Sequence, residues 1–391
     1  MKKRDVLFLL VFSVELVRVS TACTIFTASS NNVVLAANNE DMCTTNTVIH
    51  ILPPSDEKYG CIFWGFKGDS NYQGGMNEHG LFFDGAGTPP VVMTGWDLPE
   101  FDGRYIFETV LKKCKTVTEV IELVKKYSQP YLKFSHILVA DANGDAVIFE
   151  WGNNQMNYIR KGKNDFLIAT NFNLTETPDP EKECNRYAKA KKMLSENGPS
   201  ISLFEKILSV THAEGNFPTV YSNLCDLKNR KMYLYNFHNY MFRKEFDLAK
   251  EFEKGEKEYM IRSFFPETNS ELLFRYMNDC IDNFEDLPVH EITFKVNANK
   301  PFENNKIIIK GSAKELGDWD DSGVEMEEQS ENTFQKSVMI KEGKLFGFAV
   351  TTQNEQYTPV DDRNQKTGEG VIEVKSDTTI FVNVYDWKKN E

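Results

Sequence analysis

The sequence predicts an α+β domain followed by a small all-β sandwich, and two patterns support this fold class. Up to about residue 285, short segments rich in β-branched and aromatic residues alternate with segments of helical apolar spacing. From His290 onward the strand pattern continues with few helical segments, which is typical of a β-sandwich module. A length of 391 residues also favours two or three domains. We therefore expect a leader at 1–22, a first domain at 23–285 and a second domain at 288–391.

The first 22 residues have the composition of a signal peptide. Residues 2–4 are basic, residues 6–14 are apolar, and Ser20 and Ala22 are the small residues that a signal peptidase requires before Cys23. Nine apolar residues are too few to span a bilayer. A bacterial lipoprotein site is the less favoured alternative, because Ser20 stands where such a site has a large aliphatic residue. The pattern predicts export to the outside or to an endomembrane lumen, with Cys23 as the first residue of the mature chain.

The segment that follows the leader is predicted to form a β-hairpin that carries a nucleophile. Cys23 begins a strand, residues 29–32 form the turn, and the returning strand ends in Asn38, Asn39, Glu40 and Asp41. A hairpin of this kind brings Asp41 back beside Cys23. The free α-amine of an N-terminal cysteine can take the proton from its own thiol, so no histidine is required.

The rest of the first domain alternates between strands and helices. Residues 81–83 form a strand that leads into Asp84-Gly85-Ala86-Gly87, where glycine lets a ligand approach the backbone. Residues 104–127 read as helical, with Thr116 as the cap of an amphipathic segment. Further strands are predicted at 59–66, 136–140, 146–151, 156–160 and 166–170, and further helices at 185–194, 202–211 with a cap at Ser202, and 270–281.

Four motifs together resemble the N-terminal-nucleophile linear amide C–N hydrolases of the choloylglycine hydrolase and penicillin acyltransferase kind. They are Cys23-Thr24, the segments 38–41 and 73–85, and Ala169-Thr170-Asn171-Phe172. The resemblance implies a four-layer αββα sandwich for residues 23–285. It also implies an acyl-enzyme on Cys23, an amide substrate of low molecular mass and no cofactor.

The resemblance assigns roles to three further residues. Asp41 is expected to hydrogen-bond around the nucleophile and its α-amine, while the backbone N–H of Gly87 and the carboxamide of Asn171 bind the oxyanion. Without the resemblance, these residues read as a surface acid, a turn glycine and a strand-end asparagine. A glycosylation sequon begins at Asn173, and it is expected either to be unused or to point outward from the site.

Two polar residues are candidates for positioning the substrate. Choloylglycine hydrolases have an arginine where Asn38 aligns, so the resemblance does not extend to bile-salt specificity. Arg186 is expected either to bind a substrate carboxylate or to form an ion pair on a helix surface, and the surface pair is favoured.

Composition and cysteine spacing exclude several classes of protein. A net charge of −13 disfavours nucleic acid as the main partner, and no apolar stretch after the leader is long enough for membrane insertion. No cysteine pair has zinc-site spacing and no CxxC occurs, so no metal site is expected. With Cys23 set aside, six cysteines remain, and the sequence does not choose among their fifteen possible disulfide pairings. The alternative is that several of them are unpaired, buried thiols.

The second domain resembles a starch-binding module. Residues 311–320 contain the Glu-Leu-Gly-x-Trp signature, in which Trp319 would stack on a sugar ring, and Tyr357 falls near the second stacking position. Gly347 stands where those modules have a lysine, which is a departure from the pattern. The module therefore either binds starch or a glycogen-like polysaccharide, or is an inert sandwich with Trp319 packed in its loop.

Three functions are consistent with the sequence as a whole. The chain is a secreted hydrolase of linear amides, an acyltransferase that uses the same acyl-enzyme, or a non-enzymatic glycan-binding protein with an inactive first domain. A histidine-assisted cysteine protease is a poor fit, because none of the local signatures of those families surrounds a cysteine.

Overall fold

A computed structural model describes residues 23–94, 98–101, 105–162, 164–298, 306–320 and 323–390. The predicted signal peptide at 1–22 lies outside the described residues. Among the residues that are described, no helix is long and apolar enough to cross a membrane.

Two antiparallel sheets form the first part of the chain. The six-stranded sheet has the order β10-β1-β2-β11-β12-β13, and the eight-stranded sheet has the order β14-β3-β4-β5-β6-β7-β8-β9. The strands are β1 (Thr24–Ser29), β2 (Val34–Asp41), β3 (Thr47–Leu52), β4 (Cys61–Phe66), β5 (Gly74–Asn77), β6 (Phe82–Gly87), β7 (Ser135–Ala140), β8 (Ala146–Gly152), β9 (Gln155–Arg160), β10 (Phe166–Ala169), β11 (Thr219–Asp226), β12 (Lys231–Asn236), β13 (Asn239–Asp247) and β14 (Lys257–Met260).

In the part of the chain that the structure describes, seven α-helices accompany these sheets. They are α1 (Ile106–Lys113), α2 (Val117–Val124), α3 (Pro180–Glu183), α4 (Asn185–Glu196), α5 (Ile201–Thr211), α6 (Leu248–Phe252) and α7 (Asn269–Met277). Helices α1 and α2 cover the outer face of the eight-stranded sheet, and α4 and α5 cover the outer face of the six-stranded sheet.

Strand alternation explains how the two sheets stack. On β1, Ile25 enters the core between the sheets, whereas its neighbour Phe26 packs under α4 and α5. On β4, Trp64 enters the same central core, whereas Phe63 packs against α1 and α2. The result is helix, sheet, sheet and helix in four layers, so the predicted αββα sandwich is confirmed.

The last hundred residues form an all-β sandwich, as predicted. Its two four-stranded sheets have the orders β18-β19-β15-β23 and β17-β16-β20-β22, and β21 pairs with β24. Residues such as Ile292, Phe294 and Phe348 form one apolar core between them. The strands are β15 (Val289–Ala298), β16 (Ile307–Gly311), β17 (Val324–Glu325), β18 (Glu327–Ser330), β19 (Thr333–Lys341), β20 (Leu345–Thr352), β21 (Tyr357–Val360), β22 (Glu369–Glu373), β23 (Thr378–Val384) and β24 (Asp386–Lys389).

The structure corrects some predicted elements. The single helix predicted at 104–127 is two helices. The backbone is extended at Cys114 and at Thr116, and this interrupts the helix between α1 and α2. Thr116 caps α2 as predicted, and its side chain accepts a hydrogen bond from Glu119 N. The cap of α5 is Ser200 and not Ser202, because the Ser200 side chain accepts from Leu203 N.

The two parts of the chain meet through charged side chains. Arg262 and Arg275 each donate a hydrogen bond of 2.6 Å to the same Oε1 of Glu373 on β22. Lys344 Nζ lies 2.8 Å from Asp282 Oδ2. Because the Arg275 side chain is 3% exposed, part of this contact is a desolvated ion pair.

Candidate active site

Cys23 lies at the start of the β1–β2 hairpin and is 2% exposed. Thr24 pairs with Asn39, so the antiparallel register places Cys23 opposite Glu40. The thiol donates to Glu40 Oε1, with 3.4 Å between sulfur and oxygen. Burial raises the pKa of Cys23 well above its ordinary value, and the negative charges of Glu40 and Asp41 raise it further. The resting thiol is therefore protonated and needs a base before it can attack.

Asp41 ends β2 and is fully buried beside the nucleophile. Its Oδ1 accepts a hydrogen bond from Thr219 Oγ1, and its Oδ2 accepts one from Arg186 Nη1 at 3.3 Å. Burial raises the pKa of Asp41, although the Thr219 hydrogen bond and the Arg186 charge act in the opposite direction. The hairpin thus brings Asp41 to Cys23, as its sequence pattern predicted.

Asn171 follows β10, which pairs with β1 on the side opposite to β2. Its Nδ2 donates to Gly87 O at 2.8 Å, and its Oδ1 accepts from Arg186 Nη2 at 2.8 Å. Arg186 is a donor only and a carbonyl oxygen is an acceptor only, so these two contacts define which way the carboxamide points. The structure therefore brings Asn171 and Gly87 together at the same end of the sheets as Cys23.

Arg186 is at the centre of this cluster and not on a surface. Besides its bonds to Asp41 and Asn171, its Nη1 donates to Cys23 O and to Thr24 Oγ1, both at 2.9 Å. The favoured expectation of a surface ion pair is wrong. Helix α4 begins at residue 185, so Arg186 lies in its first turn, and that turn packs against the hairpin and β10. A sequence pattern shows the helix but not the face that this turn presents.

Glu40 is the residue of the site that sequence reasoning missed. It is 3% exposed, and its Oε2 accepts a hydrogen bond from Asn38 Nδ2 at 3.0 Å. Asn38, which was expected to position a substrate, is itself fully buried and instead holds this carboxyl group. Burial raises the pKa of Glu40 to about 7. Register counting along the predicted hairpin, from Thr24 opposite Asn39, could have placed Glu40 opposite Cys23.

A third buried carboxyl group belongs to the same region. Asp84 on β6 is fully buried and accepts hydrogen bonds from Trp64 Nε1 and from Gly85 N, both at 2.8 Å. Burial raises its pKa, and the negative charge of Glu40 raises it further. The thiol is therefore surrounded by three carboxyl groups, those of Glu40, Asp41 and Asp84.

An open cleft of about 550 Å³ begins one residue after Asp41. Its lining consists of uncharged residues: Met42, Cys43, Asn216, Phe217, Asn278, Cys280, Asn283 and Phe284. Cys43 and Cys280 form a disulfide in this wall. The ring of Phe284 lies 6.0 Å from that of Phe66, which lies 6.4 Å from that of Tyr221 beside Glu40. Two aromatic contacts therefore connect the wall of the cleft to Tyr221.

The remaining cysteines and the glycosylation sequon are placed as follows. Apart from the disulfide, the described cysteines are free, and Cys61, Cys114 and Cys225 are buried.

Asn173 is 7% exposed, and Thr175 Oγ1 of the same sequon donates to Glu150 at 2.6 Å. The Asn173 side chain does not point outward, so this site is unsuited to a glycan. Within the described ranges, no group of three histidine, cysteine or acidic residues is arranged to hold a metal.

The predicted carbohydrate-binding residues lie near different ends of β20. Trp319 is 39% exposed and lies against Gly347, near the beginning of the strand. Tyr357 follows the end of the strand, where its backbone N–H bonds to Thr352 Oγ1. A Cβ atom at Gly347 would lie 2.5 Å from Tyr276 Oη on α7 and 3.1 Å from Trp319 Cζ2. Glycine at this position therefore makes room for a side chain of the first domain.

Comparisons with known sequences match both parts of the chain. The sequence model of the acyl-coenzyme A:6-aminopenicillanic acid acyl-transferase family matches residues 26–239. The starch binding domain model matches residues 289–377. A search of curated proteins gives no match.

Solved structures that are similar to the first domain include the following three. Penicillin V acylase from Agrobacterium tumefaciens is 17% identical, with a TM-score of 0.46, and the alignment covers 60% of this chain and 90% of that one. A variant of conjugated bile acid hydrolase from Clostridium perfringens is 15% identical, with a TM-score of 0.49 and coverage of 63% and 99%. The N-acylethanolamine-hydrolyzing acid amidase ortholog of Caenorhabditis elegans is 16% identical, with a TM-score of 0.41 and coverage of 62% and 100%.

Proposed function

Because this chain belongs to the acyl-coenzyme A:6-aminopenicillanic acid acyl-transferase family, we propose that it is a secreted hydrolase of linear, non-peptide amides such as N-acyl amides. The nucleophile is the thiol of Cys23, which becomes the first residue when 1–22 are removed. The observation that carries this proposal is the set of bonds from Arg186 to Cys23 O, Asp41 and Asn171. The guanidinium group of Arg186 thus contacts the residue of the nucleophile, the buried carboxyl group of Asp41 and the carboxamide of Asn171.

The reaction proceeds through a thioester. Sγ of Cys23 attacks the amide carbonyl carbon, and the oxygen that becomes negative is stabilised by the N–H of Gly87 and by Nδ2 of Asn171. Collapse of this intermediate breaks the C–N bond, and the amine leaves with a proton. Water then attacks the thioester and releases the acid. In the related hydrolases the α-amine of the N-terminal cysteine is the base, and Asp41 is in position to orient that amine.

The uncharged cleft supports a neutral substrate. Met42, Phe217 and Phe284 offer apolar surface for an acyl chain, and three asparagine side chains offer hydrogen bonds to a polar, uncharged amine part. Asn38, where choloylglycine hydrolases have an arginine, points to Glu40 and supplies no positive charge for an anionic substrate. A neutral N-acyl amide therefore fits this site better than a conjugated bile salt.

An acyltransferase is the second candidate, and the description of the matching family favours it. In that reaction an amine, instead of water, takes the acyl group from the thioester. The two candidates are separated by adding a second amine to the assay, since only a transferase forms the new amide in preference to the free acid.

The second domain is proposed to bind starch or a glycogen-like polysaccharide through Trp319, with a contribution from Tyr357. The match to the starch binding domain and the exposure of Trp319 support this role. Retention on insoluble starch should fall in Trp319→Ala, whereas Phe381→Ala, which removes a more exposed ring on β23 (67% against 39% exposed), should leave it unchanged. Equal retention in both variants would favour an inert sandwich.

The proposed function is tested with secreted protein and a panel of N-acyl amides, with mass-spectrometric detection of the products. We expect the mature chain to begin at Cys23 and the Cys23→Ser variant to be folded, secreted and nearly inactive, because a hydroxyl is a far weaker acid than a thiol. Cys184→Ser is the matched control, since Cys184 is another free cysteine. Full activity of Cys23→Ser, or Cys23 in a disulfide in the active protein, would contradict the proposal and favour a secreted glycan-binding protein.

A further inference from the structure

Trp319 of the second domain has an aromatic neighbour that belongs to the first domain. A Cβ atom built on Gly347 would lie 2.5 Å from Tyr276 Oη and 3.1 Å from Trp319 Cζ2. The two side chains therefore meet over the backbone of Gly347, although one lies on α7 and the other in the loop after β16. Tyr357, the predicted second stacking residue, follows the other end of β20.

The backbone holds Trp319 in a conformation that is unusual for a large residue. Its φ angle is 62°, in the left-handed region that bulky side chains rarely adopt. Hydrogen bonds fix this loop to the strands: Trp319 N donates to Gly311 O at 2.8 Å, and Ser312 N donates to Gly347 O at 3.0 Å. A residue held in this way, with its side chain still partly exposed, indicates a functional role more than a packing role.

The position of Tyr276 is fixed by the residue before it. Arg275 donates a hydrogen bond of 2.6 Å to Glu373 Oε1 on β22. Val371 of the same strand pairs with Gly347, and alternation along the strand places Val371 and Glu373 on the same face of the sheet as Gly347. The ion pair therefore holds α7 against this face, with Tyr276 beside the indole ring.

This face is not closed by the first domain. Val371 is 61% exposed, and Leu273, one turn before Tyr276 on α7, is also exposed. Tyr276 itself is half-buried, and its hydroxyl forms no hydrogen bond with any residue that the structure describes. The junction thus offers an exposed indole ring and a phenolic hydroxyl whose hydrogen-bonding capacity is unused.

We propose that Tyr276 and Trp319 form one sugar-binding site at the junction of the two domains, and that its ligand is an α-1,4-glucan. A pyranose ring stacks on the indole of Trp319, and Tyr276 Oη forms hydrogen bonds with the hydroxyl groups of that sugar. This inference rests on the proposed starch binding, because it assumes that Trp319 is the stacking residue. It goes further by giving a residue of the first domain a place in the site.

The chemistry of the two side chains suits a sugar. A pyranose has an apolar face, which a flat aromatic ring can cover, and a rim of hydroxyl groups. The tyrosine hydroxyl both donates and accepts hydrogen bonds, as sugar hydroxyls do. Gly347 stands where starch-binding modules have a lysine, so Tyr276 supplies the polar group that this strand lacks. If Tyr276 only filled space, its ring would be enough and the hydroxyl would contribute nothing.

The test is isothermal titration calorimetry of the full secreted protein with maltoheptaose. Tyr276→Phe keeps the ring and its packing, so we expect an unchanged Tm and a Kd about 3–10-fold higher, the usual effect of losing one hydrogen bond. Tyr276→Ala should raise Kd by more than about tenfold. Phe242→Ala, at an exposed aromatic residue of β13, is the matched control and should bind like the wild type. A wild-type Kd for Tyr276→Phe overturns the proposal.

A second measurement needs no variant. In hydroxyl-radical footprinting of the wild type, maltoheptaose should lower the oxidation of both Trp319 and Tyr276 and leave that of Phe242 unchanged. Protection of Trp319 without Tyr276 overturns the proposal.

Failure of the proposed starch binding gives a different result. If the wild type does not bind maltoheptaose and Trp319→Ala keeps its retention on starch, the starch-binding role is rejected and this inference with it. If Trp319→Ala loses retention while Tyr276→Phe binds normally, the second domain still binds starch and only the role of Tyr276 is rejected.

Discussion

Arg186 Nη2 donates a hydrogen bond of 2.8 Å to Asn171 Oδ1, while Nη1 of the same side chain contacts Asp41 and Cys23 O. Because the carbonyl oxygen of Asn171 is bound in this way, its Nδ2 is directed toward Gly87. The orientation of Asn171, the proposed oxyanion donor, thus depends on Arg186, which lies 15 positions further along the chain in helix α4.

The first prediction follows from this dependence. Arg186→Met keeps much of the apolar stem but removes every donor, so both Asn171 and Asp41 lose a partner. We expect kcat to fall by about 10²-fold with a smaller change in KM, since misplacing a catalytic group by about 1 Å has this effect. Lys189→Met, on the exposed side of the same helix, is the control and should have normal kinetics. An unchanged kcat in Arg186→Met would show that Asn171 and Asp41 do not need this contact.

The second prediction concerns Asn171 itself. Asn171→Ala removes one of the two proposed oxyanion donors, and turnover should fall by about 10²–10³-fold while the protein stays folded. The measurement is kcat on the best N-acyl amide, together with a thermal melt. Asn164→Ala, at an exposed asparagine before β10, serves as the control. A near-normal rate for Asn171→Ala would mean that the oxyanion lies elsewhere.

The third prediction concerns the contact between the two parts of the chain. Glu373→Ala leaves Arg262 and the buried Arg275 without their shared carboxylate. Removing one partner of a buried ion pair costs about 3–5 kcal/mol, so we expect a lower Tm, or two separate unfolding transitions in calorimetry. Glu369→Ala on the same strand removes only an exposed carboxylate and should melt like the wild type. If both variants melt alike, these arginines do not stabilise the interface.

The fourth prediction concerns the glycine that replaces the lysine of starch-binding modules. Gly347→Ala introduces a Cβ atom that would lie 2.5 Å from Tyr276 Oη, a distance that forces one of the two groups to move. We expect a lower Tm and no gain in retention on starch. Gly370→Ala, on the neighbouring strand β22, is the comparison, because its Cβ atom would lie 2.7 Å from the ring of Phe348, a contact within the module and not with the first domain. A stable variant with stronger starch binding would show that Tyr276 does not occupy this position.

Local sequence patterns predict the parts of the site that lie close together along the chain. The hairpin that joins Cys23 to Asp41, the strand end at Asn171 and the cap at Thr116 each depend on a few neighbouring residues. The pattern of strands and helices by itself predicts only an α+β domain, and the four layers were predicted from the family resemblance.

Contacts between distant segments could not be predicted in this way. The pairing of Cys43 with Cys280 joins residues 237 positions apart, and six cysteines allow fifteen pairings. The turn of α4 that faces the site determines the position of Arg186, and the packing of α7 determines that of Tyr276. Glu40 was missed for a different reason, since an acidic residue in a polar cluster is ordinarily expected to be exposed.

The last prediction concerns the effect of pH on stability. Burial raises the pKa of Glu40 from 4.5 to about 7, and it also raises the pKa values of Asp41 and Asp84. Between about pH 4.5 and 7, native Glu40 therefore keeps a proton that the unfolded chain has lost. Because the native state binds more protons in this window, its stability is highest at the acidic end and is lost as the pH rises through 7.

Other groups contribute with the opposite sign. The pKa values of His79 and His238 are lowered by burial, so these side chains favour the native state as the pH rises past their ordinary value. The carboxyl groups of Glu150 and Glu373 have lowered pKa values, and their contribution is lost only at lower pH than this window. The contribution of Glu40 is therefore best obtained as a difference between two proteins measured in the same buffers.

Glu40→Gln provides that difference, because its neutral amide does not titrate. Relative to this variant, the wild type should lose on the order of 3 kcal/mol of unfolding free energy between pH 5 and 8, which corresponds to a pKa shift of about 2.5. Urea unfolding of both proteins at each pH measures it, with Glu196→Gln on an exposed helix end as the control. If the two proteins have parallel pH dependences, Glu40 does not titrate near neutral pH in the folded chain.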